Sequence, residues 1–82
     1  MSDFFQSIRD TYNRLTSTQQ QVADYFLKHP DTLPFIRLAD LAPKIGVSTT
    51  SVIRFARSLG YPGYSEMQQD LQQSLLGKAT LP

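Results

Sequence analysis

The stretch that most constrains the fold is "LADLAPKIGVSTTSVIRFARSLG", residues 38–60, because two short helix patterns follow one another with only a glycine turn between them. Apolar residues recur at helical spacing over 38–45, and Gly46 follows as a natural left-handed helix end. Ser48 then precedes an amphipathic segment over 49–59, where its side-chain oxygen can accept a free amide of the first turn. The pattern predicts two helices joined by a tight turn, with the second helix ended by Gly60 in the same way as the first by Gly46.

Apolar residues outside this stretch are also spaced as in helices. The spacing predicts a helix over 3–14, a second over roughly 17–29 that Pro30 stops, and a last helix from about Ser65 to about Gly77. No segment of the sequence alternates polar and apolar residues with the period of two that marks a strand. The sequence therefore predicts an all-α fold, a five-helix bundle with a helix-turn-helix at its centre.

Local signals at the helix ends predict caps and one turn. Thr16 and Gln19 have the spacing of a capping box, in which each side chain hydrogen-bonds the backbone amide of the other residue. Ser65 and Gln68 repeat that spacing. The corner before the last helix, "YPGY", suits a type II turn in which the glycine takes a positive φ. Its two tyrosines are expected to close the core rather than to contact phosphates.

Composition limits the chemistry that the chain can perform. Its 82 residues make one small domain, predicted over 1–77, with 78–82 as a linker or chain end. The sequence has no cysteine and a single histidine, His29, so a disulfide, a structural zinc site and a nucleophile with its base are not expected. No catalytic residue, metal ligand or cofactor is predicted. Because tryptophan is absent, the five phenylalanines are expected to supply much of the core.

The distribution of apolar and charged residues bears on the compartment and the partners. No run approaches the roughly 20 apolar residues of a membrane span, so the cytoplasm is the expected compartment. The net charge is only +1, but residues 35–63 carry +3, whereas 1–34 and 64–82 each carry −1. The positive charge therefore lies on and beside the paired helices, where an acidic partner is expected to bind.

Four positions of the paired helices match those of a DNA-binding helix-turn-helix. Ala42 is small where the two helices must cross closely, and Gly46 permits the sharp turn between them. Val52 and Phe55 take the two buried apolar positions of the second helix. Many helical hairpins share part of this pattern, so its meaning depends on what the second helix exposes.

The exposed face of the second helix is polar and basic. At about 100° per residue, Thr50, Arg54 and Arg57 cluster opposite the core positions, and Ile53 lies at the edge of that face. Short hydroxyls can donate to phosphates or base edges, and an arginine can bind guanine O6 and N7 together. The predicted DNA-binding residues are Arg37, Lys44, Ser48, Thr49, Thr50, Ser51, Ile53, Arg54 and Arg57.

Other interpretations of the same residues stay open at this point. Two arginines on a helix surface commonly serve solubility alone, and Arg37 and Lys44 could either hold phosphates or be ordinary solvated side chains. The rival class of function is a helical protein-interaction module whose face over 49–58 docks an acidic partner. An enzyme is a distant third, because no nucleophile with its base can be assembled.

Three segments of the chain occur in the order "LTSTQQQVADYFLKHP", "LADLAPKIGVS" and "SVIRFARSLGYPGYSEM". Together they resemble the N-terminal domain of the RpiR (MurR/RpiR) family of bacterial transcriptional regulators, over roughly residues 4–76. The resemblance implies binding of double-stranded DNA by a homodimer or tetramer at operators of sugar-catabolism genes. A symmetric dimer would place two recognition helices about 34 Å apart on a palindromic operator. The resemblance also implies a C-terminal sugar-isomerase-like domain, absent from this chain, that binds a phosphosugar effector.

Two positions depart from the family pattern in the first helix of the motif. Arg37 stands where the family commonly has a capping serine, which forfeits a cap worth about 1 kcal/mol. Pro43 lies inside that helix and cannot donate to the carbonyl of Ala39. A bend or a shortened helix is therefore expected there.

Overall fold

The computed structural model describes residues 4–80, with the backbone alone described over 74–80. Its helical elements, in chain order, are α1 (Phe4–Thr11), a first 3₁₀ turn (Tyr12–Arg14), α2 (Ser17–Lys28), a second 3₁₀ turn (Leu33–Phe35), α3 (Leu38–Ile45), α4 (Thr49–Ser58) and α5 (Tyr64–Thr80). None of the described residues lies in a strand. The predicted all-α fold with five helices is confirmed.

The ends of the first and last helices differ from the prediction. α1 ends at Thr11, and the predicted continuation is the tighter first 3₁₀ turn, after which the Leu15 amide donates to the Tyr12 carbonyl at 3.1 Å. α5 begins one residue before Ser65 and continues past Gly77 to Thr80. The boundary predicted at Gly77 therefore falls within a helix, and the division of the chain there stays a prediction.

The core is built around the contact between α2 and α4. The rings of Phe26 and Phe55 meet edge to face with centroids 5.1 Å apart, and the ring of Phe4 lies 6.1 Å from that of Phe26. This aromatic cluster joins α1, α2 and α4 through side chains that are all buried. The buried hydrophobic residues are Phe4, Ile8, Leu15, Val22, Ala23, Phe26, Leu33, Leu41, Ala42, Val52, Phe55, Ala56, Tyr64, Met67 and Leu71.

Phe35 lies outside the core, although a phenylalanine was expected to be part of it. Its side chain is 73% exposed, although its neighbour Leu33 is only 1% exposed. Both belong to the second 3₁₀ turn, where Leu33 and Pro34 point inward and the next residue is carried to the outside. The expectation that the five phenylalanines supply the bulk of the core therefore does not hold for Phe35.

One predicted capping box is present and the other is not. The Gln19 amide donates to Thr16 Oγ1 at 3.2 Å and the Thr16 amide donates to Gln19 Oε1 at 3.1 Å, which confirms the first box. The second is wrong because α5 already begins at Tyr64. Gln68 instead donates through Nε2 to the Ile36 carbonyl at 2.6 Å, tying α5 to the segment before α3.

At the corner between α4 and α5, the predicted left-handed helix end at Gly60 is confirmed, but the predicted turn at Gly63 is not. Gly60 has a φ of 99°, in the left-handed region, whereas the φ of Gly63 is not positive. A type II turn at "YPGY" would require a positive φ at Gly63, so that prediction was wrong. The Met67 amide donates to the Gly63 carbonyl at 3.3 Å, because Gly63 leads directly into the first turn of α5.

Both tyrosines of this corner lie against the core, as expected. Tyr64 is 9% exposed and donates from its hydroxyl to the Ile36 carbonyl at 2.8 Å, while the hydroxyl of Tyr61 donates to the carboxylate of Asp70. Burial raises the pKa of Tyr64 from 10.0 to about 12. Burial, together with the hydrogen bond to Asp70, also raises the pKa of Tyr61.

We expect the domain to lose stability as the pH rises above 10.0, the ordinary pKa of tyrosine, because the unfolded chain then releases phenolic protons that the folded chain retains. Replacing Tyr64 by phenylalanine should cost about 1 kcal/mol near neutral pH, where the hydrogen bond to Ile36 is lost. The difference in free energy of unfolding between the unaltered protein and the variant should become smaller above pH 10.0, since the variant lacks one of the phenols whose titration destabilises the fold. Urea unfolding of both proteins, from neutral pH to above pH 10.0, measures this difference. A difference that stays constant with pH would contradict the prediction.

Candidate nucleic-acid interface

α3 and α4 form a helix-turn-helix with the packing that the sequence predicts. Ala42, Val52 and Phe55 are each at most 2% exposed, and Gly46 has a φ of 89°. The amides of Gly46 and Val47 both donate to the Ala42 carbonyl, at 2.9 and 3.1 Å, so the left-handed glycine closes α3 and turns the chain toward α4. The four predicted motif positions are confirmed in their structural roles.

The turn should be sensitive to any side chain at its glycine. We expect Gly46→Ala to lower the free energy of unfolding by about 1 kcal/mol, because the left-handed conformation is strained for a residue with a Cβ atom. Space is not the cause, since the nearest atom to the added Cβ would be Gln21 Nε2 at 3.9 Å. Gly63→Ala, where φ is not positive, is the control and should cost less in urea unfolding; equal losses would contradict the backbone explanation.

Glutamines of α2 hold the motif at its central turn and at its C-terminal end, a feature that the sequence did not reveal. Gln21 donates through Nε2 to the Ile45 carbonyl at 3.0 Å, at the end of α3. Gln19 donates through Nε2 to Ser58 Oγ at 3.1 Å, and Ser58 Oγ donates to the Arg54 carbonyl at 3.0 Å, at the end of α4. The run of three glutamines, residues 19–21, was the available signal, but only the packing of α2 beside the motif gives it meaning.

The hydroxyl cluster at the start of α4 divides into a structural pair and an exposed pair. Ser48 Oγ accepts from the Ser51 amide at 3.1 Å, which confirms the predicted cap, and the two serine hydroxyls share a hydrogen bond of 3.1 Å. Thr49 and Thr50 are exposed on the first turn. Ser48 and Ser51 therefore shape this end of the helix, where Ser48 is itself exposed, and the two threonines beside them take no part in the cap.

The basic residues of α4 are exposed but differ in how they are held. Arg57 donates through Nε to the Pro62 carbonyl at 3.3 Å, which anchors its guanidinium beside the corner. Within the described part of the chain, no hydrogen bond or ion pair holds the side chain of Arg54. Ile53 is half-buried at the edge of the same face. The predicted exposure of Arg54 and Arg57 is confirmed, while their roles toward a ligand stay predictions.

Arg37 and Lys44 lie at opposite ends of α3, so the structure does not bring them together. Arg37 makes no side-chain cap, as expected, and its Nε lies 3.6 Å from Asp40 Oδ2 with the two side chains 87% and 57% exposed. Such an exposed ion pair contributes little and leaves the arginine available. Lys44 is exposed in the last turn of the helix. Pro43 is accommodated without shortening α3, which ends at Ile45 as the apolar pattern predicted.

Three of the predicted residues share a cleft beside α4. Arg37, Ile53 and Arg57 line an open cleft of about 510 Å³, whose other wall is the beginning of α5. That wall contributes Ser65 and Glu66, neither of which the sequence identified as a site residue. The cleft exists because Gln68 and Tyr64 tie α5 to the segment before α3, a contact between parts of the chain about 30 residues apart.

Two other features are absent from the part of the chain that the structure describes, a membrane-spanning helix and a cluster of metal ligands. Within that part, no helix is long and apolar enough to cross a membrane. The same residues contain no group of three or more histidine, cysteine, aspartate or glutamate side chains that could hold a metal ion.

Comparison with known proteins identifies the family. Residues 3–78 match the family described as "Helix-turn-helix domain, rpiR family". The chain is 36% identical over 75 residues to the Escherichia coli (strain K12) protein named "Uncharacterized HTH-type transcriptional regulator YfhH", covering 92% of this chain and 27% of that protein. It is 39% identical over 70 residues to a Providencia stuartii protein named "Uncharacterized HTH-type transcriptional regulator in aarA 3'region", covering 85% and 25%.

Longer relatives carry the same segment. The Paraburkholderia xenovorans (strain LB400) "Bifunctional protein glk" is 40% identical over 81 residues, which is 99% of this chain and 12% of that protein. The chain thus spans about a quarter of the length of the two regulators and a smaller part of the bifunctional protein. The family match over nearly the whole chain agrees with the helix-turn-helix geometry of α3 and α4, and this chain belongs to the rpiR family of helix-turn-helix domains.

Proposed function

We propose that the chain is the DNA-reading domain of a bacterial transcriptional regulator, in which α4 enters the major groove of an operator. The main support is the division of α4 into two faces. Val52, Phe55 and Ala56 are fully buried, whereas the opposite face exposes hydroxyls and arginines and carries no acid. A helix of this width and polarity fits the major groove, where arginine and threonine side chains can contact base edges and phosphates.

Each predicted residue has a role in this proposal. Ser48 and Ser51 set the start of the helix, and Thr49 and Thr50 approach the DNA from its first turn. Arg54, which nothing holds within the described residues, reads base edges, and Ile53 makes an apolar contact beside it. The residues assigned to backbone phosphates are Arg37, Lys44 and Arg57.

The wider setting of the proposal rests on the family. A single small domain makes few contacts, so we propose that a homodimer binds a palindromic operator with its two α4 helices about 34 Å apart. The names of two relatives support transcriptional regulation, since each is called an HTH-type transcriptional regulator. Control of sugar or phosphosugar genes through a further effector-binding domain rests on the family resemblance alone. Action in the cytoplasm rests on the sequence, in which no apolar run approaches the length of a membrane span.

A salt-dependent titration tests the proposal. A labelled duplex containing an inverted repeat from upstream of the gene, and a scrambled duplex of equal length, are each titrated with the domain at several salt concentrations. DNA binding should weaken linearly in log affinity against log salt, with tighter binding to the inverted repeat. If an artificially dimerised domain binds neither duplex at low salt, the proposal fails. Binding to an acidic protein instead would favour an interaction module.

A further inference from the structure

The cleft between α3, α4 and α5 borders the face of α4 that the proposed function places on DNA. Ile53 and Arg57 of α4 form one wall, and Arg37 stands at the start of α3. Ser65 and Glu66 form the facing wall at the beginning of α5. Its volume of about 510 Å³ and its open mouth leave room for a phosphodiester group with part of its sugar.

The two cations of the cleft come from different elements and both have donors to spare. Arg57 uses only Nε, on the Pro62 carbonyl, so its terminal nitrogens remain for an anion. Arg37 is engaged only in the weak, exposed ion pair with Asp40. Guanidinium groups bind phosphate oxygens with paired hydrogen bonds, and the hydroxyl of Ser65 adds a neutral donor in the same lining.

The walls of the cleft are held in place by hydrogen bonds across elements. Tyr64 donates from its hydroxyl, and Gln68 from Nε2, to the carbonyl of Ile36, at 2.8 and 2.6 Å. Ile36 is the residue before Arg37, so the first turns of α5 fix the position from which the Arg37 side chain emerges. A site with prearranged walls loses less entropy when it orders a ligand than a pair of isolated surface arginines would.

Glu66 opposes the two arginines within the same lining. No ion pair within 4.0 Å joins it to Arg37 or Arg57 among the described side chains, and it is exposed. Its carboxylate is therefore not paired with either arginine, and its charge would act on an anion in the cleft. The lining thus combines two attractive charges with one repulsive charge, which limits how tightly any phosphate binds.

We propose that this cleft seats a backbone phosphate of the same DNA, one that flanks the groove occupied by α4, and that Glu66 reduces the affinity of that contact. This inference rests on the proposed function. The ligand is assigned as a DNA phosphodiester because a helix in the major groove lies between two rows of phosphates. Ile53 and Arg57 of that helix also form one wall of the cleft, which places the cleft beside one of these rows.

Charge variants in matched pairs test the inference with the operator titration. Glu66→Gln should tighten binding by about threefold for each bound domain, the size of a unit-charge repulsion across about 6 Å at high dielectric, and should steepen the salt dependence. Arg37→Gln should weaken binding and reduce the slope by about one for each bound domain. Asp31→Asn and Lys28→Gln make the same changes in net charge at exposed positions outside the cleft lining and should leave both quantities nearly unchanged.

The outcomes separate this inference from the proposed function. If the unaltered domain binds no duplex, the proposed function fails and the cleft assignment with it. If the domain binds DNA but Glu66→Gln behaves like Asp31→Asn, only the cleft assignment fails. Backbone amide NMR shifts at Ser65 and Glu66 should appear with the duplex and not with inorganic phosphate alone; equal shifts with inorganic phosphate would instead identify a small-anion site and overturn the DNA assignment.

Discussion

Phe55→Ala is expected to lower the free energy of unfolding by about 3–5 kcal/mol, a large part of the roughly 5–15 kcal/mol that stabilises a typical domain. Phe55 is completely buried, and its ring meets that of Phe26 across the contact between α4 and α2. Removing the ring leaves a cavity at the centre of the core, where helices on both sides are already fixed by other contacts. Urea unfolding followed by circular dichroism measures the loss.

Phe35→Ala is the matched control for this prediction. It removes the same ring from a side chain that is 73% exposed, so we expect a change within about 0.5 kcal/mol. Similar losses for the two substitutions would contradict the burial of Phe55 against Phe26. If the Phe55 variant stayed folded and lost only DNA binding, its ring would have to act at the interface rather than in the core.

Features that depend on neighbouring residues were the ones the sequence predicted well. The left-handed end of α3 at Gly46, the Ser48 cap and the Thr16–Gln19 box each need only a few consecutive residues to form. The core face of α4 was also predicted correctly, because apolar spacing over ten residues gives a clear helical pattern. These local signals were sufficient to locate the motif and its exposed face.

The errors lie where a distant contact decides between two local possibilities. Gln68 has capping-box spacing with Ser65, but Gln68 bonds the Ile36 carbonyl, which the sequence places 32 residues away. Gly63 could accept a positive φ, yet α5 begins immediately after it and the reversal occurs at Gly60. Glu66 was not identified from the sequence because only the folded chain places it in the same cleft lining as Arg37. Local preference is a weak guide at such positions.

Arg54→Ala is expected to weaken operator binding by about 1–3 kcal/mol for each half-site and to reduce the preference over a scrambled duplex, if Arg54 reads a guanine as proposed. The structural reason is the freedom of this side chain. Arg54 projects from the exposed face of α4 with no partner in the described residues, so its guanidinium can take the geometry that a base edge requires.

Arg57→Ala provides the comparison, because Arg57 is held by the Pro62 carbonyl and is assigned to a phosphate. Its loss should weaken binding to operator and scrambled duplex equally and reduce the salt slope by about one for each bound domain. The two variants remove the same side chain from one helix, so differences in charge or helix propensity cannot explain unlike results. If Arg54→Ala lowered both affinities equally and Arg57→Ala abolished the sequence preference, the two roles would have to be exchanged.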